Sequence, residues 1–306
     1  MKAWFTVLLL LTLGSILPLS AAAQTPIRIL ACEPEWAALA EEIGGDDVIV
    51  HSATHGRQDA HYIRARPSLI AKVRRADILF CSGAELEIGW LPILMQRGAR
   101  SIVQAGQPGH IMAADHVDVL ERPEVIDRSL GDIHPGGNPH VHLDPRNITI
   151  LAEVLANRLV TIDPSRSSAY HDRLVSFKAR WADAMTEWHE RVQNLDGMKV
   201  IVYHKAWPYL LQWSGLNRVA SLEEVSGIPP TASHLAHVLE LARNHGAQVI
   251  IRAPFEPVDA SDWLSGKTEI PVVELPFTVG GHPEARDLFS LFDITLTSLE
   301  EIRDRP

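Results

Sequence analysis

The chain has 306 residues, a formal net charge of −10, fifteen histidines and only two cysteines. Its acidic residues are spread along the sequence rather than blocked into a tail, which argues against nucleic acid and anionic membrane surfaces as partners, since both select clusters of Lys and Arg. The histidine-to-cysteine ratio sets aside a thiolate cage, so any metal ligands would be imidazole and carboxylate.

The first predicted element is at the amino terminus. Lys2, an apolar run from Ala3 to about Leu19 and the small residues Ala21, Ala22 and Ala23 have the layout of a secretory signal peptide over 1–23, cleaved after Ala23. Gly14, Ser15 and Pro18 interrupt the run, which makes it a poor permanent transmembrane helix. The mature protein is therefore expected to be exported, soluble and periplasmic, with roughly 280 residues, enough for two lobes. Ile29-Leu30-Ala31-Cys32 has the form of a lipid-attachment box, but Arg28 and the polar Gln24-Thr25 separate it from the apolar run and count against lipidation.

From Pro26 short apolar runs alternate with helical stretches: IRILAC, EPEWAALAEEIGG, DVIVHSATH, PSLIAKVRRA and DILFCSG. Strands alternating with helices of this length predict a parallel sheet built from β-α units. Cys32 ends the first run and Cys81 ends DILFC. Neighbouring parallel strands would bring these ends together in an oxidising compartment, so a disulfide is expected, with two buried free thiols as the alternative.

RNITILAEVLANRLVTID reads as a helix. In the next segment Tyr170, Leu174, Phe177, Trp181, Met185 or Ala184, Trp188 and Val192 recur every three or four positions. That is one apolar stripe on a helix of some 28 residues, about 42 Å long, started by Pro164 and stopped by Gly197. A single stripe of this length fits a strut beneath two lobes. Beyond Gly197 the alternation resumes with KVIVYH, WPYLLQWSG, LAHVLELARNHG, AQVIIRA and TEIPVVELPF, and EARDLFSLFDITLTSLEEI closes the chain as an amphipathic helix. The predicted class is α/β: an N-terminal lobe over 24–148, a helical region over 149–196 and a C-terminal lobe over 197–306, joined by one long rigid helix. No internal sequence repeat is visible.

The loop DIHPGGNPHVHLDP, 132–145, carries three histidines among three prolines and two glycines. Such punctuation gives a rigid loop able to aim side chains. Ligands of open α/β lobes bind where loops leave the carboxyl ends of strands. His61 follows DVIV, His140 lies in this loop and His204 ends KVIVYH, so an interlobe cleft would bring the three together.

QDAHYIRARPS, GNPHVHLDP and VYHKAWPYL, in that order and separated by the long helix, resemble the metal-binding proteins that feed zinc or manganese to ABC importers. The resemblance covers essentially the whole mature chain. It implies metal ligands at His61, His140 and His204, with Ala60 replacing a usual proline, and a metal site between the lobes. It also implies a further carboxylate from a Leu-Asp-Pro-like turn, where this chain reads Glu274-Leu275-Pro276-Phe277. Glu274 is one register away, and a one-residue slip on a strand turns a side chain to the other face. Water, Glu274 or a nearby loop residue is left to complete the site.

Three neutral imidazoles suit Zn(II) better than manganese, which favours carboxylate oxygen. His142 reads as a packing residue or one that supports the ligands, His134 as a surface loop residue with metal capture as the lesser reading, and His234 and His237 as ordinary helix residues. The functional expectation is a monomeric periplasmic carrier that delivers Zn(II), as transported ligand rather than catalytic cofactor, to an ABC-type membrane permease. Its affinity should weaken as pH falls through roughly 6.5, the ordinary histidine range. Alternatives are a manganese or iron carrier, a metal-binding surface adhesin, or a secreted zinc hydrolase, for which the compact His-Glu-x-x-His motif is missing.

Overall fold

The computed structural model describes residues 25–124, 131 and 134–305. The signal peptide expected over 1–23 lies outside them. Among the described residues, no helix is long and apolar enough to cross a membrane.

The N-terminal lobe runs β1 (Ile27–Ala31), α1 (Pro34–Gly44), β2 (Val48–Ser52), α2 (Pro67–Val73), β3 (Ile78–Cys81), α3 (Leu91–Gly98) and β4 (His110–Met112). Two helices follow, α4 (Pro145–Ile162) and α5 (Ser167–Gln193). The C-terminal lobe then runs β5 (Lys199–Val202), α6 (Pro208–Ser214), β6 (Asn217–Ser221), α7 (Ala232–His245), β7 (Val249–Arg252), α8 (Asp259–Thr268), β8 (Val272–Glu274) and α9 (Leu288–Arg303).

Among the described residues every strand pair is parallel, as the β-α alternation predicts. The two sheets have the same order, β2-β1-β3-β4 and β6-β5-β7-β8. The lobes thus repeat one topology with no repeat in sequence, because parallel pairing constrains backbone and side-chain polarity but not residue identity. The central strands are almost wholly apolar and buried, β3 throughout and β5 from Val200 onward. In both sheets the order reverses at the first strand, so the loops leaving the carboxyl ends open a crevice there.

Beneath the lobes, α5 follows a short 3-10 turn over Pro164–Arg166 and spans 27 residues. The predicted stripe is its buried face: Tyr170, Phe177, Trp181, Trp188 and Val192 are enclosed. Trp181 donates to the Pro145 carbonyl at the start of α4, and Trp188 donates to Asp293 on α9. Arg173 on α5 also donates to the Ile43 carbonyl on α1, so the strut touches elements of both lobes. One apolar cluster extends from Ile29 and Trp36 through Phe177 and Trp181 to Val200, Ile251 and Phe292.

Cys32 and Cys81 form the expected disulfide, with Cα atoms 4.7 Å apart at the ends of adjacent strands. Closing a loop of 49 residues limits the unfolded chain by about 4 kcal/mol on the chain-entropy estimate.

Candidate metal centre

A cavity of about 210 Å3 lies between the lobes at the carboxyl ends of the sheets. His61, His140 and His204 all line it, with Phe277 and Tyr203 among its apolar walls. One ligand atom from each of the three histidines lies within 4.8 Å of the other two. The His61 ring centroid is 5.7 Å from that of His140 and 6.0 Å from that of His204.

Each imidazole is fixed by its local chain. His61 sits in a 3-10 turn, Ala60–Tyr62, capped by Asp59. The Asp59 Oδ1 accepts from the His61 backbone N–H at 2.9 Å and faces its ring Nδ1 at 2.7 Å. A carboxylate only accepts, so Nδ1 carries the ring proton and Nε2 keeps the lone pair. His204, two residues beyond β5, is held alike: its Nδ1 lies 2.7 Å from Glu223 Oε2, which also accepts from the Gly227 N–H at 2.9 Å. Carboxylates behind ligand imidazoles orient the ring and raise its basicity.

His140 is secured through its backbone. Its N–H donates to Asn138 Oδ1, and Asn138 in turn donates to the Lys205 carbonyl and accepts from the Tyr209 hydroxyl. The His140 ring stands edge-on to Phe277 with centroids 5.0 Å apart. It is only 3 % exposed, and its Nδ1 has no hydrogen-bond partner among the described residues. Burial, then the neighbouring imidazoles of His61, His142, His134 and His204, hold its pKa well below the ordinary histidine value. A neutral, enclosed imidazole with unsatisfied ring capacity is suited to bind a cation.

The carboxyls around the cavity differ in charge. Burial opposes ionisation of Asp59, but its bonds to His61 outweigh this and lower its pKa. Burial pushes Glu256, on the C-terminal wall, up to about 8, aided by the nearby Glu223 and against a bond from the Ala253 N–H. Burial also raises Glu33, which lines the cavity, well above the carboxylate range, and raises Glu87 behind it to about 7.

Other sequence candidates fall elsewhere. Glu274 does not line the cavity: it ends β8 paired with Arg252 at 2.6 Å and Arg57 at 3.3 Å, so two guanidinium groups occupy the carboxylate that the sequence offered as one way to complete the site. His142 is buried, with Nε2 2.9 Å from the Phe277 carbonyl oxygen, and thus supports the cleft. Its Nδ1 is 3.2 Å from Glu35 Oε1, an ion-pair separation, but off hydrogen-bond alignment. His134 is not the surface residue expected; its Nε2 is 3.1 Å from His61 Nε2. His234 faces the Ser221 carbonyl at 3.0 Å on α7, and His237 is exposed. Sequence reasoning missed Glu223 and Glu256. The position of Asp59 two residues before His61 was a readable capping signal, whereas Glu223 and Glu256 carry no pattern that marks them.

A family model described as zinc-uptake complex component A, periplasmic, matches residues 29–302. The metal ABC transporter substrate-binding lipoprotein ScbA of Streptococcus cristatus is 24% identical over 210 residues, covering 66% of this chain and 64% of that protein. That match therefore spans less than two thirds of the relative's length. The manganese ABC transporter substrate-binding lipoprotein PsaA of Streptococcus anginosus is 22% identical over 286 residues, 91% of this chain and 88% of the relative. A crystal structure of ZnuA shares the fold with a TM-score of 0.74 at 21% identity, covering 90% of this chain and 98% of that one. Since the family match takes in nearly all of the sequence beyond the predicted signal peptide, the chain belongs to the periplasmic zinc-uptake component A family.

Proposed function

We propose that this protein is a periplasmic carrier that captures Zn(II) between its lobes and presents it to the membrane permease of an ABC importer. The observation that carries this reading is the convergence of His61 and His140 from one lobe with His204 from the other, their ligand atoms within 4.8 Å of one another. A site divided between lobes gains its full donor set on closure and loses it on opening, which suits a protein that must both hold and release an ion. His61, His140 and His204 are the proposed ligands.

Nitrogen donors favour zinc over manganese, whose preferred ligands are carboxylate, carbonyl and water. A manganese-named relative makes that ion the competitor to test. The carrier works as a monomer without catalysis. Its leader is removed after Ala23, so the exported protein begins at Gln24 and N-terminal sequencing checks the cleavage.

Metal analysis of the purified protein, followed by competition of zinc against manganese, is the direct test. Zinc retention that His140→Ala abolishes supports the carrier; a preference for manganese, or zinc retention unchanged in His140→Ala, rejects it. Zinc-limited growth of a deletion strain separates a carrier from an adhesin, and a turnover screen separates it from a hydrolase.

A further inference from the structure

A tetrahedral zinc site takes four donors, and the three histidines supply three. Of the carboxyl groups nearby, Asp59 is engaged with His61, Glu223 with His204, Glu35 with the Thr278 hydroxyl and Glu274 with two arginines, while Glu256 accepts from the Ala253 N–H, Glu33 accepts from Ser82, and burial favours the protonated form of both. His134 stands differently. Its Nε2 faces His61 Nε2 at 3.1 Å, with ring centroids 5.2 Å apart.

Because Asp59 holds the proton of His61 on Nδ1, the lone pair of His61 points at His134. Two lone pairs cannot face each other at this distance, so positive charge lies between them. In the free protein it is the Nε2–H of His134, donated to His61. With an ion bound, the ion itself can take that place: Zn–N bonds of 2.0–2.1 Å put two nitrogens of a tetrahedron about 3.3–3.4 Å apart. The observed separation is near that edge length.

We propose that His134 is the fourth, exchangeable ligand of the ion, an inference that rests on the carrier reading above. On loading, the His134 proton moves from Nε2 to Nδ1, the ring stays neutral, and the freed Nε2 lone pair binds the metal beside His61. The chain is built to aim it. His134 opens a tight turn in which its carbonyl accepts from the Gly137 N–H at 2.9 Å, and Gly137 has φ +97°, a conformation that glycine adopts without strain. A Cβ there would also come within 2.5 Å of Val119 Cγ1. Upstream, Gly131 bridges to Ser226 of the other lobe. His134 also shares with His140 and His204 the wall of a second cavity, of about 140 Å3.

A set of four neutral nitrogens, with no oxygen donor, should strengthen discrimination against manganese. The test is X-ray absorption at the zinc edge on the loaded full-length mature protein, with His134→Ala and His134→Gln as variants and visible spectra of the cobalt(II)-substituted proteins alongside. Four imidazoles are expected in the wild type. In both variants three imidazoles and one oxygen are expected, with the cobalt bands altered and the zinc-over-manganese preference lowered about tenfold or more. Three imidazoles in the wild type, unchanged in the variants, overturn the role of His134 but leave the carrier reading standing. Fewer than three imidazoles, or no retained zinc, overturns both.

Discussion

His142 and Phe277 are joined across the cleft: the imidazole Nε2, 2.9 Å from the Phe277 carbonyl oxygen, donates to it, and the same imidazole stacks edge-on against the Phe277 ring at 5.4 Å. The adjoining Thr278 hydroxyl donates to Glu35 on α1, so the loop after β8 is fastened to the N-terminal lobe at two successive residues. His142→Ala leaves a buried carbonyl unpaired, which costs about 1–3 kcal/mol. Denaturant unfolding of the metal-free variant should show that loss while zinc is still retained at lower affinity. His142→Phe, which keeps the ring contacts with Trp36 and Phe277 but not the bond, should recover only part of the stability.

Asp59 and Glu223 act through the imidazoles they hold. Replacing either with alanine leaves all the histidines in place but frees the ring to rotate and to change tautomer. Zinc affinity should fall about 10–100-fold in each variant. Competitive titration checks this, and an affinity equal to the wild type in both variants would count against His61 and His204 as oriented ligands.

At Gly56, as at Gly131, the two lobes touch backbone to backbone. A Cβ at this position would lie 2.1 Å from the Gly280 carbonyl carbon and 2.3 Å from the Gly281 nitrogen. Neither backbone atom can rotate away, so Gly56→Ala must push the loops apart, straining the adjacent Arg57–Glu274 pair. The variant should show a larger radius in solution scattering and faster zinc release. Unchanged scattering would mean that the loops absorb the methyl group without moving the lobes.

Stability should depend on pH through Glu256, which burial pushes up to about 8 from the ordinary carboxyl value of 4.5. In the folded state it keeps a proton that the unfolded chain has already lost. Its contribution is therefore fully present below about 4.5 and is lost as pH rises towards about 8. Glu256→Gln imitates the protonated form and can still accept from the Ala253 N–H. The difference in melting temperature, variant minus wild type, should grow in favour of the variant across that interval and level off above it. A difference independent of pH would show that Glu256 does not titrate there.

Much of the fold is legible in the sequence because its central strands are continuous apolar runs. IRILAC, DILFC and KVIVYH need no partner to be recognised, and the stripe from Tyr170 to Val192 announces the long helix. Two of the edge strands, β4 and β6, are not legible in this way. β4 has three residues, too few for a pattern, and β6 is partly exposed, with no fully buried residue in NRVAS. His61 and His204 could be placed because each follows a predicted strand, and His140 because of its Pro- and Gly-punctuated loop and the resemblance of the three motifs to a known family. Contacts set by chain folding could not: the neighbour of His61 is His134, 73 positions away, and the partner of Glu274 across the cleft is Arg57, 217 positions away. The sequence shows a carboxylate near a motif but not the guanidinium groups that will reach it first.

The apolar cluster running from Trp36 through Trp181 to Phe292 gives both lobes a common interior. Its continuity predicts that the chain melts as a single cooperative unit. The same continuity limits recombination among relatives: a chimera spliced between lobes inherits mismatched halves of one core unless α5 and its partners on α1 and α9 come from the same parent. Change of metal preference is thus channelled into the loops above the sheets, where ligands can be exchanged without disturbing the interior.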